Sequence, residues 1–202
     1  MGACAAVLVD AWFFQSYRSW AFDRQTHGEP ASIRRFLVQS ASLSEPDDDA
    51  EFIGNLAAAG TRPPSFSFHP PTESSVVGRI EIPRVGVNTM VLEGVSHQTL
   101  SLAVGHIPGT ALPGKLGNIG LAGHRDTFFR SLAGIHLDDV IVLTTLNESY
   151  RYRVKSTEVV SPRETSVLRD LGLPVLTLVT CYPFHYLGPA PRRFIVHAVQ
   201  EM

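Results

Sequence analysis

Short β-like runs, separated by Gly, Pro and Asn, follow one another from Val76 to Val199. Runs such as "VVGRIEIP", "VNTMVLEG" and "VLTLVTC" favour short strands, because β-branched side chains fit a pleated surface and Gly and Pro interrupt it. In "SYRYRVKSTEVV" aromatic and apolar residues alternate with basic ones, which predicts a half-buried strand that forms a hairpin with "DDVIVLTTL". Roughly seven strands in about 125 residues predict one all-β barrel or sandwich. Short helices are expected only around residues 97–103, 128–132 and 164–171.

The first 75 residues have a different composition. Residues 1–22 are apolar and then aromatic, but Asp10, Gln15 and Arg18 interrupt the run. The aromatic residues suit a membrane–water interface, so we expect an N-terminal membrane anchor, with truncation by the chosen start codon left open. A soluble amphipathic helix is the alternative. Residues 23–75 are polar and then rich in Pro, Ser and Ala, which predicts a linker with helical turns around 33–39 and 51–59. The folded domain is then expected over residues 76–202.

The net charge of −2 and the two cysteines exclude several classes of protein. A nearly neutral chain has no basic field, so no nucleic-acid partner is expected. Cys4 and Cys181 lie far apart in different contexts and there is no CxxC pair, so neither a disulfide framework nor a zinc site is indicated. The histidines from His97 to His136 do not fall at metal-ligand spacings, and we expect no metal and no cofactor.

Cys181 and His124 are the residues best placed for chemistry. Cys181 ends the apolar run "VLTLVTC" directly before Tyr182 and a proline, which predicts a thiol at the rim of the fold. An isolated cysteine is commonly an inert buried residue, and a nucleophilic one needs a neighbouring His or Arg. His124 follows another strand-like run after Gly123, which allows close approach of a second segment. His106, in a Gly-rich segment interpreted as a loop, is its strongest competitor.

A basic pair, Arg192 and Arg193, opens the last apolar run. Period-2 alternation puts Arg193 on one face of that strand and Arg192 on the other. If this strand pairs with the one that ends at Cys181, a guanidinium and the thiol stand at the same end of the barrel. An exposed solubilising charge is the alternative interpretation of either arginine.

These segments together resemble the sortase family. The resemblance rests on "TLVTC" followed by "RFIVHA", with "AGHRDTFFRSL" upstream, and extends through "VLEG" and "GHIPGTALPGKLGNIG". It covers about residues 76–199, and the GHRD segment is most similar to class D and related sortases. It implies a closed all-β barrel of about eight strands with a few short helices. It also implies a cysteine transpeptidase anchored in the cell membrane by one N-terminal segment, with an extracytoplasmic catalytic domain.

The resemblance also implies site residues, which we carry over position by position. His124 matches the histidine of the GHR segment, Cys181 the cysteine of TLxTC, and Arg193 the arginine that directly precedes "FIV". Thr180 matches a threonine whose backbone helps to bind the oxyanion.

Two further residues are expected to bind the substrate. His106 is expected to shape the site or to line the substrate groove, and Tyr182 begins an aromatic loop that is suited to an extended peptide. Residues 63–71 are interpreted as linker, because the pattern of the lids found in some sortases is absent.

The implied chemistry is acyl transfer. The thiolate of Cys181 attacks a peptide carbonyl in a C-terminal LPxTG-like sorting signal, and the resulting thioester passes to an amine of a peptidoglycan stem peptide or a pilin lysine. Two alternatives remain open. One is another thiol acyl-transferase or peptidase of the cell envelope, although the Ser-His-Gly-Cys run of L,D-transpeptidases is missing. The other is a non-catalytic β-barrel binding module with an inert Cys181.

Overall fold

The computed structural model describes residues 2–40, 74–186 and 188–201. Its strands are β1 Val76–Ile82, β2 Val87–Glu93, β3 Val104–His106, β4 Asn118–Gly123, β5 Val140–Thr144, β6 Ser149–Val160, β7 Val175–Tyr182 and β8 Arg192–Gln200. Its α-helices are α1 Gly2–Thr26, α2 Ile33–Ser40 and α3 His97–Leu102. Short 3-10 turns occupy Pro83–Val85, Arg130–Gly134 and Ser166–Leu168.

The eight strands form a closed barrel in the order β1-β2-β3-β4-β7-β8-β6-β5. The pairs β2–β3 and β4–β7 are parallel, and the other pairs are antiparallel. Helix α3 makes the crossover that the parallel β2–β3 pair requires. The prediction of a closed all-β barrel with few helices is therefore confirmed, and so is the β5–β6 hairpin.

The core of the barrel consists of alternate residues from every strand. In β7 and β8 the inward positions are Leu176, Leu178, Val196 and Ala198, all fully buried. Their neighbours in sequence therefore point outward, because successive side chains of a strand alternate between faces. In β6 the same alternation buries Tyr152 and Val154 and exposes Arg151 and Lys155 in the way the sequence predicts. This alternation decides which side chains form the outer surface near Cys181.

The local predictions differ from the structure in three places. His106 is the last residue of strand β3 and does not lie in a loop, because Gly105 and His106 pair with β4. The expected helix at 97–103 is confirmed as α3, whereas those at 128–132 and 164–171 are single 3-10 turns shifted or shortened to Arg130–Gly134 and Ser166–Leu168. Strand β7 also continues one residue past Cys181, since Tyr182 pairs with Arg192.

The N-terminal helix α1 packs against the barrel. Phe22 is 2% exposed and forms a second apolar cluster with Met90, Leu92 and Ala103. Gln15 donates a hydrogen bond to the Leu102 carbonyl (2.6 Å) and accepts one from the Met90 amide (2.9 Å). The second half of α1 is therefore a wall of the folded unit.

Helix α2 confirms the helical turn expected around residues 33–39. Its Phe36 ring contacts the rings of Phe13, Tyr17 and Trp20 on α1, with centroids 5.4–5.9 Å apart. Residues 51–59 and 63–71 lie outside the described ranges. Within those ranges no helix combines the length and the apolar character that crossing a membrane requires.

Candidate active site

Three neighbouring strands bring the candidate catalytic residues side by side. We call Arg193, Cys181 and His124 the row. In the antiparallel pair β7–β8, Cys181 is the register partner of Arg193, and paired residues point to the same face. In the parallel pair β4–β7, Gly123 is the partner of Thr180, so His124, the next residue, follows β4 beside Cys181. Adjacent strands lie about 4.8 Å apart, so the row is only roughly 10 Å wide.

The thiol at the centre of the row is accessible. Cys181 is free and only partly buried. It lies on the outward face of β7, whereas its neighbour Thr180 is 2% exposed and points inward. Partial exposure is what a nucleophile needs and what an inert core cysteine lacks.

Arg193 is the second residue of β8 and contacts the end of the loop that precedes the strand. Its Nη1 donates hydrogen bonds to the carbonyls of Ala190 (3.3 Å) and Arg192 (3.0 Å). The other guanidinium nitrogens of Arg193 make no hydrogen bond to the described part of the chain. A guanidinium has five N–H donors, so donors remain for a carbonyl bound at Cys181. Arg192 is exposed and lies on the opposite face of the strand.

His124 lies at one end of the row and lines a cavity of about 410 Å³. The walls of that cavity include Ala11 of α1, Leu100 of α3 and Phe128, and Cys181 does not line it. The ring of His124 has no hydrogen-bond partner among the described residues. An imidazole in this position is free to exchange a proton with a bound group.

Thr180 and Gly123 fix the relative positions of His124 and Cys181. The Thr180 hydroxyl donates to the Gly123 carbonyl (2.7 Å). A Cβ on Gly123 would lie 2.7 Å from Cδ2 of Phe129, so the close approach expected at this glycine is confirmed. The side chain of Thr180 is thus a strand-to-strand contact, and only its backbone is available for the substrate-binding role predicted for it.

His106 is buried, and both of its ring nitrogens have partners. It is 2% exposed. Its Nδ1 lies 2.7 Å from Oε2 of Glu93, and its Nε2 lies 2.9 Å from the Ala111 carbonyl oxygen and 3.0 Å from Thr110 Oγ1. These contacts hold the loop between β3 and β4. That His106 shapes the site or lines the groove stays a prediction.

Tyr182 belongs to an aromatic cluster at the end of β7. Its ring stacks on Phe194 with centroids 6.3 Å apart and meets the edge of Phe184 at 5.9 Å. The ring is only partly buried. Its position supports the loop after Cys181, and the predicted contact with a peptide remains a prediction.

Arg125 is a site residue that the sequence reasoning missed. Its guanidinium lies 5.7 Å from the ring centroid of Tyr186 and donates to three backbone carbonyls of the loop between β7 and β8: Pro183 (3.0 Å), Tyr186 (2.6 Å) and Gly188 (2.9 Å). It therefore links the residue after His124 to the segment after Cys181. The only signal in the sequence is its position directly after His124, because its partners lie 58 to 63 positions away.

Among the described residues, no group of three or more His, Cys, Asp or Glu side chains could hold a metal ion.

Comparison with known proteins agrees with this geometry. The sortase domain family matches residues 80–201, more than half of the chain, so this protein belongs to the sortase family. Sortase D of Bacillus subtilis is 34% identical over 132 residues, which cover 65% of this chain and 66% of that protein. Sortase A of Bacillus anthracis is 31% identical over 113 residues, which cover 54% of this chain and 53% of that protein. The chain thus matches between about half and two thirds of the length of these relatives.

Two solved structures extend the comparison to three dimensions. A sortase D5 transpeptidase of Clostridium perfringens superposes with a TM-score of 0.60 at 30% identity, covering 66% of this chain and 83% of that one. Sortase C of Clostridium perfringens, solved with the C-terminal cell wall sorting motif, has a TM-score of 0.60 at 29% identity and covers 65% and 73%.

Proposed function

We propose that this protein is a cysteine transpeptidase that cleaves a C-terminal LPxTG-like sorting signal and transfers the acyl group to an amine. The observation that carries the proposal is the row itself: Cys181 pairs with Arg193 in the β7–β8 register, and His124 follows β4 on the other side of Cys181. A thiol, a guanidinium and an imidazole on three adjacent strands can all reach one bound carbonyl.

The first half-reaction forms a thioester. The Cys181 thiolate attacks the carbonyl carbon of the scissile peptide bond, and negative charge moves to the carbonyl oxygen. The free N–H donors of Arg193 stabilise that charge in the transition state. His124 gives a proton to the nitrogen of the departing amine as the C–N bond breaks. The acyl group is then held on Cys181.

The second half-reaction runs in the opposite direction with a new amine. His124 takes a proton from the incoming amine, whose nitrogen attacks the thioester carbonyl. The C–S bond breaks, and the Cys181 thiolate is restored with an amide product. Neither half-reaction needs an oxidant, a reductant or a cofactor. For the acceptor we propose a peptidoglycan stem peptide or a pilin lysine, because both present a primary amine on an aliphatic chain.

We further propose that the enzyme works outside the cytoplasm, attached to the cell membrane through its N-terminal segment. Support comes from membership of the sortase family and from the apolar and aromatic composition of residues 1–22. Residue Trp12 is 69% exposed on α1, which suits an interfacial aromatic residue.

Mass spectrometry of the acylated protein tests the catalytic proposal. After incubation with an LPxTG peptide, we expect a covalent adduct on Cys181 that hydroxylamine releases. Cys181→Ala removes the adduct and leaves the circular dichroism spectrum of the barrel unchanged. Cys4→Ala, which removes the other cysteine, is the matched control and keeps the adduct. Retained acyl transfer in Cys181→Ala would exclude this thiol as the nucleophile.

A further inference from the structure

Asp126 lies at the boundary between two cavities beside the candidate active site. It lines the cavity of about 410 Å³ together with His124, which is two residues before it in the chain. It also lines a second cavity of about 260 Å³, whose walls include Arg130 and the rings of Phe184 and Tyr186. Asp126 is therefore the residue that these two cavities share.

The backbone that carries Asp126 is fixed on both sides. The Phe129 amide donates to the His124 carbonyl (3.0 Å), which closes a turn between these two residues. The Phe129 side chain is fully buried in the core of the barrel. On the other side of Asp126, Arg125 donates hydrogen bonds to the loop between β7 and β8. Asp126 therefore keeps a fixed position relative to His124, with their Cα atoms at most about 7 Å apart.

The carboxylate of Asp126 is unpaired. It is exposed, and it makes no hydrogen bond or ion pair with the described part of the chain. Arg125 and Arg130 line the second cavity with it, but the guanidinium of Arg125 is committed to backbone carbonyls. An aspartate in a turn commonly bonds to its own backbone, and Asp126 makes no such bond. Its negative charge is therefore free to attract a cation that enters either cavity.

The larger cavity combines this charge with apolar walls. Ala11 of α1, Leu100 of α3 and Phe128 contribute apolar surface. Among the described residues that line the cavity, Asp126 is the one carboxylate and there is no lysine or arginine. The volume of about 410 Å³ lies in the range of pockets for small ligands. An aliphatic chain that ends in an ammonium group fits both features, because its methylenes match the walls and its charge matches the carboxylate.

We infer that Asp126 binds the acceptor: its carboxylate recognises the primary ammonium group of the second substrate and holds it beside the ring of His124. The inference rests on the proposed function, in which His124 takes a proton from the incoming amine. The ammonium group loses one proton to solvent and a second to His124 as its nitrogen attacks the thioester carbonyl. The C–S bond then breaks and restores the Cys181 thiolate. Asp126 accepts hydrogen bonds from the amine and neither gains nor loses a proton, so it selects cationic amines over neutral nucleophiles.

Competition between two nucleophiles for the acylated protein tests the inference. The probes are α-N-acetyl-lysine amide, which carries an ammonium group at neutral pH, and hydroxylamine, which is uncharged at that pH. Asp126→Asn keeps the shape of the side chain and removes its charge. We expect the KM for acetyl-lysine amide to rise about fivefold, the upper range for an exposed ion pair, while transfer to hydroxylamine and formation of the adduct on Cys181 change little. An unchanged KM, or equal losses with both nucleophiles, would overturn the inference.

Two control variants and the ionic strength separate the charge of Asp126 from a structural role. Asp126→Glu keeps the carboxylate and should retain most of the preference for the cationic probe. Asp138→Asn removes another exposed turn carboxylate, which lines neither cavity, and should change nothing. Because salt screens exposed charges, the KM of the wild-type protein for acetyl-lysine amide should rise with ionic strength, and that of Asp126→Asn should rise much less. The same salt dependence in both proteins would contradict the role of the charge.

Nuclear magnetic resonance distinguishes failure of this inference from failure of the proposed function. In the full chain with Cys181→Ala, which cannot be acylated, the ring resonances of His124 should shift on titration with acetyl-lysine amide. Adding Asp126→Asn should raise the apparent Kd about fivefold. This binding without any acylation of the wild-type protein would count against the proposed function and leave the amine site standing. Acylation at Cys181 without charge-dependent binding at His124 would reject the role of Asp126 and leave the proposed function standing.

Discussion

Two Gly-His pairs end neighbouring strands of the barrel, and the structure surrounds them in opposite ways. Gly105 and Gly123 both permit a close approach: a Cβ would lie 2.2 Å from the Gly94 carbonyl oxygen at the first and 2.7 Å from Phe129 at the second. His106 is buried and both of its ring nitrogens have partners. His124 is only partly buried and its ring borders a cavity.

The difference shows why a motif does not by itself assign chemistry to a histidine. The ring of His106 is committed to Glu93 and to the loop between β3 and β4, so moving a proton there would break contacts that hold the fold. The ring of His124 carries no such contact among the described residues and lies beside a thiol. An imidazole whose hydrogen bonds are already made stabilises structure, whereas one with open positions can transfer a proton.

The largest effect in this comparison is expected when the ring of His124 is removed. His124→Gln should lower the rate of acyl transfer by about 10² to 10⁴, the usual contribution of a general acid–base residue, with little change in thermal stability. Initial rates and thermal melts of the purified variant measure both effects. A variant that keeps wild-type turnover would show that another group carries the proton.

The next prediction compares Arg193, in the row, with Arg192 on the opposite face of β8. Arg193→Lys should lower acylation by about 10²-fold, because a point charge cannot replace a planar fork of donors at a developing oxyanion. Arg192→Ala is the matched control on the opposite face and should be tolerated. Single-turnover rates with a signal peptide compare the two. Inactivity of Arg192→Ala together with activity of Arg193→Lys would reverse the assignment.

For the buried ring of His106 the expected effect is on stability and not on turnover. His106→Ala removes the partner of the Glu93 carboxylate, whose side chain is 11% exposed, and should lower the free energy of unfolding by about 3 kcal/mol. Turnover per folded molecule should stay close to wild type. Denaturant titration gives the stability, and active-site titration gives the folded fraction. Unchanged stability with lost turnover would assign His106 to catalysis after all.

The two histidines also differ in the residue that follows them. Arg125 follows His124, whereas the apolar Ile107 follows His106. Arg125→Ala removes three hydrogen bonds to the loop between β7 and β8 and should lower kcat/KM about tenfold by loosening the segment after Cys181. Arg130→Ala, a nearby exposed arginine, is the control. Alkylation of Cys181 by iodoacetamide, followed over time, reports on the segment without a substrate.

The smallest effect is expected on stability at Asp139, a buried carboxylate that lies outside the row. The guanidinium of Arg84 donates to its carboxylate and holds the pKa of Asp139 below its ordinary value, with the His136 amide as a further donor. This contribution to stability is complete above about pH 3.9 and is lost as pH falls through the lower pKa of the folded state. Asp139→Asn should cost about 1 kcal/mol at neutral pH and flatten the loss of stability in acid. Denaturation at several pH values checks this, and turnover should not change.

Much of the fold could be predicted from local pattern. The alternation in "SYRYRVKSTEVV" gave the buried face of β6, and the alternation in "RRFIVHAV" separated Arg193 from Arg192. Strand β3 could not be predicted, because three residues are too few to show a period. Its pairing with β2 and β4 comes from contacts made elsewhere in the barrel. The interpretation of His106 as a loop residue was wrong for the same reason.

The sequence by itself indicated an all-β fold with a thiol, an imidazole and an arginine pair at the ends of predicted strands. These follow from period-2 burial and from residue type, which are local properties of the chain. The closed barrel and the family were implied by the resemblance of its motifs to sortases. Only the tertiary structure decided which histidine keeps its ring nitrogens without partners among the described residues, which loop Arg125 holds, and how Thr177 links His197 on β8 to Asn118 on β4 across three strands. Each of those outcomes depends on pairing between segments that are distant in sequence, since burial and hydrogen-bond partners are fixed only when the strands close into a barrel.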